Sequence, residues 1–320
     1  MLNIAIILES AAREHPERPA LVFEEQRISY AELDHRAGRV AANLMAAGIG
    51  AGDHVALACL NRPEFVIAYY GILKTGATVV TVSALLKARE IAYQLADSDA
   101  VALIAYGGDV GGLGVEVRKA VAATPTCSLV WMIEGRSGEQ DFTALLAGEG
   151  PVVGVDRDGN DTAVILYTSG TTGSPKGAEL THHNIMMNVV AIARERTPAA
   201  DRPATLIALP LFHVFAQTCL MHMGLYQGAA LVLMQRFSAR EAIDLIVAEG
   251  ITSFSGVPTM FRAMLDDPSL TEEDVAAVRK AVRAASSGGS SLAPELQKRF
   301  AERFGVPMID GYGCTETSPV

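Results

Sequence analysis

Apolar runs without polar alternation recur along this chain, each followed by a helical stretch, and that beat limits the fold more than any other feature. HVALACL (54–60), ATVVTVS (77–83), AVALIAY (100–106), SLVWMI (128–133) and TAVILYT (162–168) are nearly continuous in apolar and small residues. Such runs suit strands covered on both faces. Between them, SYAE (29–32) makes a capping box that opens a helix carrying Leu33, Ala37, Val40, Ala41 and Leu44 on one face. Pro63 starts a second helix that Gly76 closes, and further helices are expected near 87–96 and 115–123. The second half repeats the pattern with ATLIALP, AALVLMQ, SFSGVP, VRAASSGG and VPMIDGYG, interleaved with SAREAIDLIVAEG, a helix near 259–265 and LAPELQKRFAERFG. Alternation at this spacing predicts an α/β fold built on a mostly parallel, twisted sheet.

Half of the 320 residues are hydrophobic, which is enough for a sizeable core and excludes a disordered tail or a disulfide-stapled miniprotein. The net charge of −10 argues against a surface that tracks nucleic-acid phosphates. A polyanionic ligand must therefore be held by a local device. Cys59, Cys127, Cys219 and Cys314 are far apart with no CxxC pair, so neither a zinc site nor a disulfide framework is expected, and a reducing, cytoplasmic setting fits. The N-terminus lacks a basic region and a small-residue cleavage site and reads as a helix ending before Pro16. No charged residue occurs between Arg202 and Arg236, but Pro203, Pro210, His213, Gln217 and Gly228 interrupt any spanning helix. Buried strand, helix and strand is the better reading. The polar stretch 134–161 is the best candidate for a boundary or surface excursion.

The chemistry concentrates in YTSGTTGSPKGAELTHHN (167–184). Three glycines let backbone amides approach an anion, hydroxyls add donors, and Lys176 supplies a point charge. A flexible linker is the bland alternative, opposed by the apolar strand that anchors the loop. It is not a Walker A loop, because Pro175 precedes Lys176 and Gly177 follows it. After it, Thr181 caps a helix that begins with His182 and His183, which read as helix-entry or packing residues rather than metal ligands.

YTSGTTGSPKG resembles the signature phosphate loop of adenylate-forming enzymes, the family of acyl-CoA synthetases, peptide-synthetase adenylation domains and luciferases. Three more strings follow in the order that family requires: LPLFHVFA (209–216), SSGGSSLAPEL (286–296) and DGYGCTET (310–317). ERPALVFEEQRISYAELD and NRPEFVIAYYGILKTGATVV resemble the family's N-terminal region, so the likeness covers essentially the whole chain. TVSALLKAREI departs from it where many members carry an Asn-Pro pair. The resemblance is closest to a fatty-acid CoA ligase. It implies a large domain of two mostly parallel sheets flanked by helices, with subdomains 50–195 and 1–49 plus 196–320, and with the C-terminal small domain absent.

By that resemblance, a substrate carboxylate attacks the α-phosphorus of ATP and expels pyrophosphate, and the acyl adenylate then passes to coenzyme A. Thr168, Ser169, Gly170, Thr171, Thr172, Gly173 and Lys176 would hold phosphates, Thr315 the α-phosphate, and Glu316 Mg²⁺. Gly288, Gly289, Asp310, Gly311 and Tyr312 would form the adenine slot. Phe212, His213, Val257, Pro258 and Gly313 would line the acid pocket. His213 would sit beside the substrate carboxylate, although a lone histidine in an apolar run is more often a core residue. It is not needed as a base, since a carboxylic acid is already ionised at neutral pH. Lys176, His213, Thr315 and Glu316 would make up the catalytic set.

The absence of charge around Phe212, His213, Val257 and Pro258 favours a hydrophobic acid. Fatty acyl leads, an aryl acid of cinnamate or benzoate type is second, and a dicarboxylic acid such as malonate third. A non-catalytic module that binds ATP or acyl adenylate is the alternative from another class. Because the chain stops just after the DGYGCTET string, this polypeptide is expected to bind ATP weakly and to turn over little. The oligomeric state stays open, a homodimer included, and neither nucleic acid nor a transmembrane segment is expected.

Overall fold

The computed structural model describes residues 1–148, 153–169, 173–195 and 203–320. It forms two compact units, Met1–Pro16 with Tyr30–Met187, and Glu17–Ser29 with Asn188–Val320. Among the described residues of 134–161 no division falls, and they belong to the first unit.

The first unit is built on a six-stranded sheet in the order Leu129–Ile133, Ala100–Tyr106, His54–Ala58, Thr78–Thr81, Thr162–Thr168, Lys176–Thr181. Every neighbouring pair is parallel except the last, which is antiparallel. The apolar runs supply the five parallel strands, and Thr78–Thr81 is buried at every residue. The helices Tyr30–Ala46, Pro63–Lys74, Ala88–Asp97 and Leu113–Ala123 alternate with them. Pro63–Lys74 is buried along most of its length, so even Lys74 ends inside the unit. Its ammonium is balanced by Glu9 at 2.8 Å and Asp34 at 3.0 Å. A buried cation is tolerable only when paired in this way.

The strand Lys176–Thr181 is one element that the apolar pattern does not reveal. It is an edge strand in which only Leu180 is buried. The Thr181 hydroxyl then accepts from the Asn184 amide at 3.1 Å and caps the helix His182–Glu195, as its sequence predicts.

The second unit holds a seven-stranded sheet in the order Met308–Asp310, Ala284–Ser287, Ser253–Gly256, Ala204–Ile207, Ala230–Leu233, Pro19–Phe23, Gln26–Ser29. All pairs are parallel except the final hairpin. Its core includes a chain of rings: Phe254 and Phe261 at 5.1 Å, Phe261 edge-on to Phe300 at 5.1 Å, and Phe300 against Phe304 at 4.8 Å. The charge-free stretch becomes the strand Ala204–Ile207, the consecutive helical segments Val214–Ala216, Gln217–His222 and Met223–Tyr226, and the strand Ala230–Leu233. The middle helical segment is π-type. Among the described residues no helix is long and apolar enough to cross a membrane. All four cysteines are free.

Glu272–Ala281 is a helix the apolar reading passes over. A capping box starts it: Thr271 Oγ1 accepts from the Asp274 amide at 3.1 Å, and Asp274 accepts from the Thr271 amide at 2.9 Å.

Candidate functional site

In the first unit the phosphate-loop candidates sit at the mouth of a hairpin. Thr162–Thr168 and Lys176–Thr181 pair in register so that Thr168 lies opposite Lys176. Paired residues of antiparallel strands share a face, so hydroxyl and ammonium project from the same side of the hairpin. Thr168 is partly buried, while Ser169, Gly173 and Lys176 are exposed. Gly170, Thr171 and Thr172 lie outside the described residues. Both feet of the hairpin are fastened to the helix Ala88–Asp97. Tyr167 donates to Asp97 at 2.8 Å and Tyr93 donates to the Pro175 carbonyl at 3.0 Å, and the two rings meet edge-on at 6.3 Å.

In the second unit four strings leave four adjacent parallel strands at their carboxyl ends: LPLFH after Ala204–Ile207, VP after Ser253–Gly256, GG after Ala284–Ser287 and GYG after Met308–Asp310. This is where open parallel sheets place ligands. The strand ends are braced by a 2.7 Å hydrogen bond between the Ser255 and Ser286 hydroxyls and by the Gly311 amide donating to the Ser287 carbonyl at 2.8 Å.

The loops line an open cavity of about 480 Å³ with His213, Val257, Gly288, Gly289, Gly311, Tyr312, Gly313 and Thr315 among others. Strings far apart in sequence thus meet on one surface. Among the described residues no Asp, Glu, Lys or Arg lines it. Tyr312 is 90% exposed, its ring face free. Gly288 leaves little room for a side chain: a Cβ there would lie 3.0 Å from the Phe215 ring and 3.3 Å from the Gly311 carbonyl oxygen.

Not every expected residue reaches the cavity. Phe212 is buried against the His213 ring at 4.7 Å, and Phe212, Pro258, Asp310 and Glu316 are absent from the lining. Val214 and Phe215, neighbours of His213 in the LPLFHVFA string, line it, and so do Ile192, Cys219 and Met260 from outside the four strings. Met260 could have been found, since it follows Val257 by one helical turn. Cys219 lies in the π-type segment, and no sequence signal marks that segment.

His213 opens onto the cavity, yet loss of solvent around its ring holds its pKa below the ordinary histidine value. At neutral pH it is an uncharged imidazole, able to donate one hydrogen bond. Thr315 and Glu316 occupy a 3-10 turn, Thr315–Thr317. The turn is pinned by the Thr317 hydroxyl, which donates to the Cys314 carbonyl at 2.9 Å, and by Asn188, whose side-chain amide donates to the Thr317 and Val320 carbonyls. Among the described residues no cluster of three or more His, Cys, Asp or Glu could hold a metal by itself. Glu316 is a single exposed carboxylate, a donor that suits Mg²⁺ when phosphate and water oxygens complete the shell.

The sequence pattern of AMP-binding enzymes matches residues 8–320. The chain is 28% identical to a long-chain-fatty-acid–CoA ligase of Bacillus subtilis (strain 168) over 99% of its own length and 60% of the relative's. It is 32% identical to a feruloyl-CoA synthase of an Amycolatopsis species over 96% of this chain and 58% of that one. The fold is similar to a benzoate CoA ligase from Burkholderia xenovorans LB400, with a TM-score of 0.88 and 27% identity over 99% of this chain and 62% of that one. The chain therefore spans about three fifths of the length of the relatives it matches.

Proposed function

The chain belongs to the AMP-binding enzyme family, and from that premise we propose that it is the nucleotide- and acid-binding part of a ligase that activates an apolar carboxylic acid with ATP and passes the acyl group to coenzyme A. The observation that carries this reading is the uncharged cavity at four adjacent strand ends, where the SSGG and GYG loops meet His213 and Val257. A slot between an exposed aromatic face and a pair of glycines suits adenine. An apolar wall beside it suits an acid without a second charge, because a buried ammonium or carboxylate would find no partner there.

In this reading the acid's carboxylate oxygen attacks the α-phosphorus, and the bond to the pyrophosphate oxygen breaks. Both reactants are anions, so rate enhancement comes mainly from positioning and charge neutralisation. Lys176, with the hydroxyls of Thr168 and Ser169, would hold the outgoing phosphates, and the loop residues Gly170, Thr171, Thr172 and Gly173 would supply backbone donors. Thr315 would donate to the α-phosphate. Mg²⁺, held by Glu316, would neutralise phosphate charge. His213, uncharged, would orient the carboxylate by hydrogen bonding rather than remove a proton. Transfer of the acyl group to coenzyme A is part of the same proposal.

The direct test is a thermal-shift titration with a non-hydrolysable acyl-adenylate mimic. A ligand that binds only the folded chain adds about 2.7 kcal/mol at a hundred times its Kd, which raises the Tm by several degrees. The adenosine mimic should produce that rise and its guanosine counterpart should not. Equal shifts, or none from the adenosine mimic, count against the reading.

A further inference from the structure

The size of the cavity bears on the acid. Its volume is about 480 Å³, and an apolar cavity of about 150 Å³ accommodates one benzene ring. The whole space therefore corresponds to about three ring-sized volumes. Adenine, a fused bicycle placed between Tyr312 and the Gly288–Gly289 pair, takes well over one of them. The remainder, on the side of Val257, Met260 and Phe215, holds little more than one ring or a chain of about six carbons.

Phe215 lines that side. Its ring packs against the buried cluster of Ile192, Cys219 and Met223. It also approaches Gly288 closely enough that a Cβ there would stand 3.0 Å from it. One side chain thus stands against Gly288 and lines the same cavity. Met260 lines the same cavity from the helix Pro258–Leu265. Resting on the adenylate-forming reading above, we propose that the acid taken here is compact, a single-ring or short-chain apolar acid, and that Phe215 sets its length. This is narrower than the fatty-acyl expectation and sets long chains aside.

The test is calorimetric titration of the chain with 5′-O-sulfamoyladenosine and its N-benzoyl, N-hexanoyl and N-dodecanoyl derivatives. The benzoyl and hexanoyl compounds should bind at least tenfold more tightly than the dodecanoyl one. Phe215→Ala, which removes about one ring volume, should narrow that gap at least fivefold, and Phe215→Leu should narrow it less. Met260→Ala gives a second enlargement should Phe215→Ala not fold. Dodecanoyl binding as tight as benzoyl in the unaltered chain overturns the size limit. An unchanged ratio in a folded Phe215→Ala overturns the role of Phe215. Failure of every compound, the unacylated parent included, overturns the nucleotide reading beneath both.

Discussion

Lys176 illustrates how much one exposed side chain can carry without contributing to the fold. It stands on an edge strand opposite Thr168, open to solvent. Its replacement by alanine removes charge rather than packing, so stability should stay within about 0.5 kcal/mol. Hydrogen bonds to charged groups contribute about 1.5–3 kcal/mol, so Lys176→Ala should weaken ATP or pyrophosphate binding by roughly ten- to a hundredfold. Calorimetry beside thermal melts checks both halves, and unchanged affinity would remove Lys176 from the phosphate site. What singles it out in the sequence is its setting, a lysine that follows a run of Gly, Ser and Thr. Cys219 and Ile192 carry no such mark, because an apolar side chain reads the same in a core and in a pocket wall, and only the packing distinguishes them.

At the scale of elements, the close approach of two helices of the first unit turns on Gly71. A Cβ at Gly71, on Pro63–Lys74, would fall 2.5 Å from Val40 Cγ1 and 3.1 Å from the Ala37 carbonyl oxygen, both on Tyr30–Ala46. Gly71→Ala gains up to about 1 kcal/mol of helix propensity but overpacks a seam where such strain costs about 1–3 kcal/mol. We expect a net loss of about 1–2 kcal/mol, read as a lower urea midpoint at unchanged slope. Val40→Ala in the same chain should recover part of it, a coupling that a double-mutant cycle isolates. Additive losses would mean that the helices do not meet there. The helix Pro63–Lys74 and the five parallel strands were legible because continuous burial writes itself as continuous apolar sequence. Lys176–Thr181 and Glu272–Ala281 were not: the first buries only Leu180, and the second only Val275 and Val278. Edge pairing and a capping box hold them, and neither leaves a periodic trace.

At the scale of the whole molecule, chain order conceals which strands share a sheet: Leu21 pairs with Leu231 and so belongs to the second unit. Each unit also buries an uncharged histidine, which predicts how stability follows pH. In the first, burial, reinforced by the nearby Arg157 charge, lowers the His182 pKa to about 4, and Nδ1 accepts from the Ile4 amide at 3.2 Å. In the second, burial lowers His222 to about 3. Both folded values lie below the ordinary value of about 6.5, so the unfolded chain binds more protons between the two. Their contribution is therefore complete above about pH 6.5 and is lost as pH falls, toward 4 for His182 and toward 3 for His222, at about 1.4 kcal/mol per pH unit for each histidine. Glu9 titrates later. Burial alone would raise its pKa, but the hydrogen bonds from Lys74 and the Gly154 amide outweigh it, so its contribution persists until pH drops below the ordinary carboxylate value. The window from pH 6.5 to 5 thus belongs to the histidines, and urea midpoints should fall steadily across it. His182→Gln, able to accept the same Ile4 hydrogen bond without titrating, should flatten the part of the profile due to the first unit. A wild-type profile that is level from pH 7.5 to 5 would show that these two imidazoles are not buried neutral in the fold.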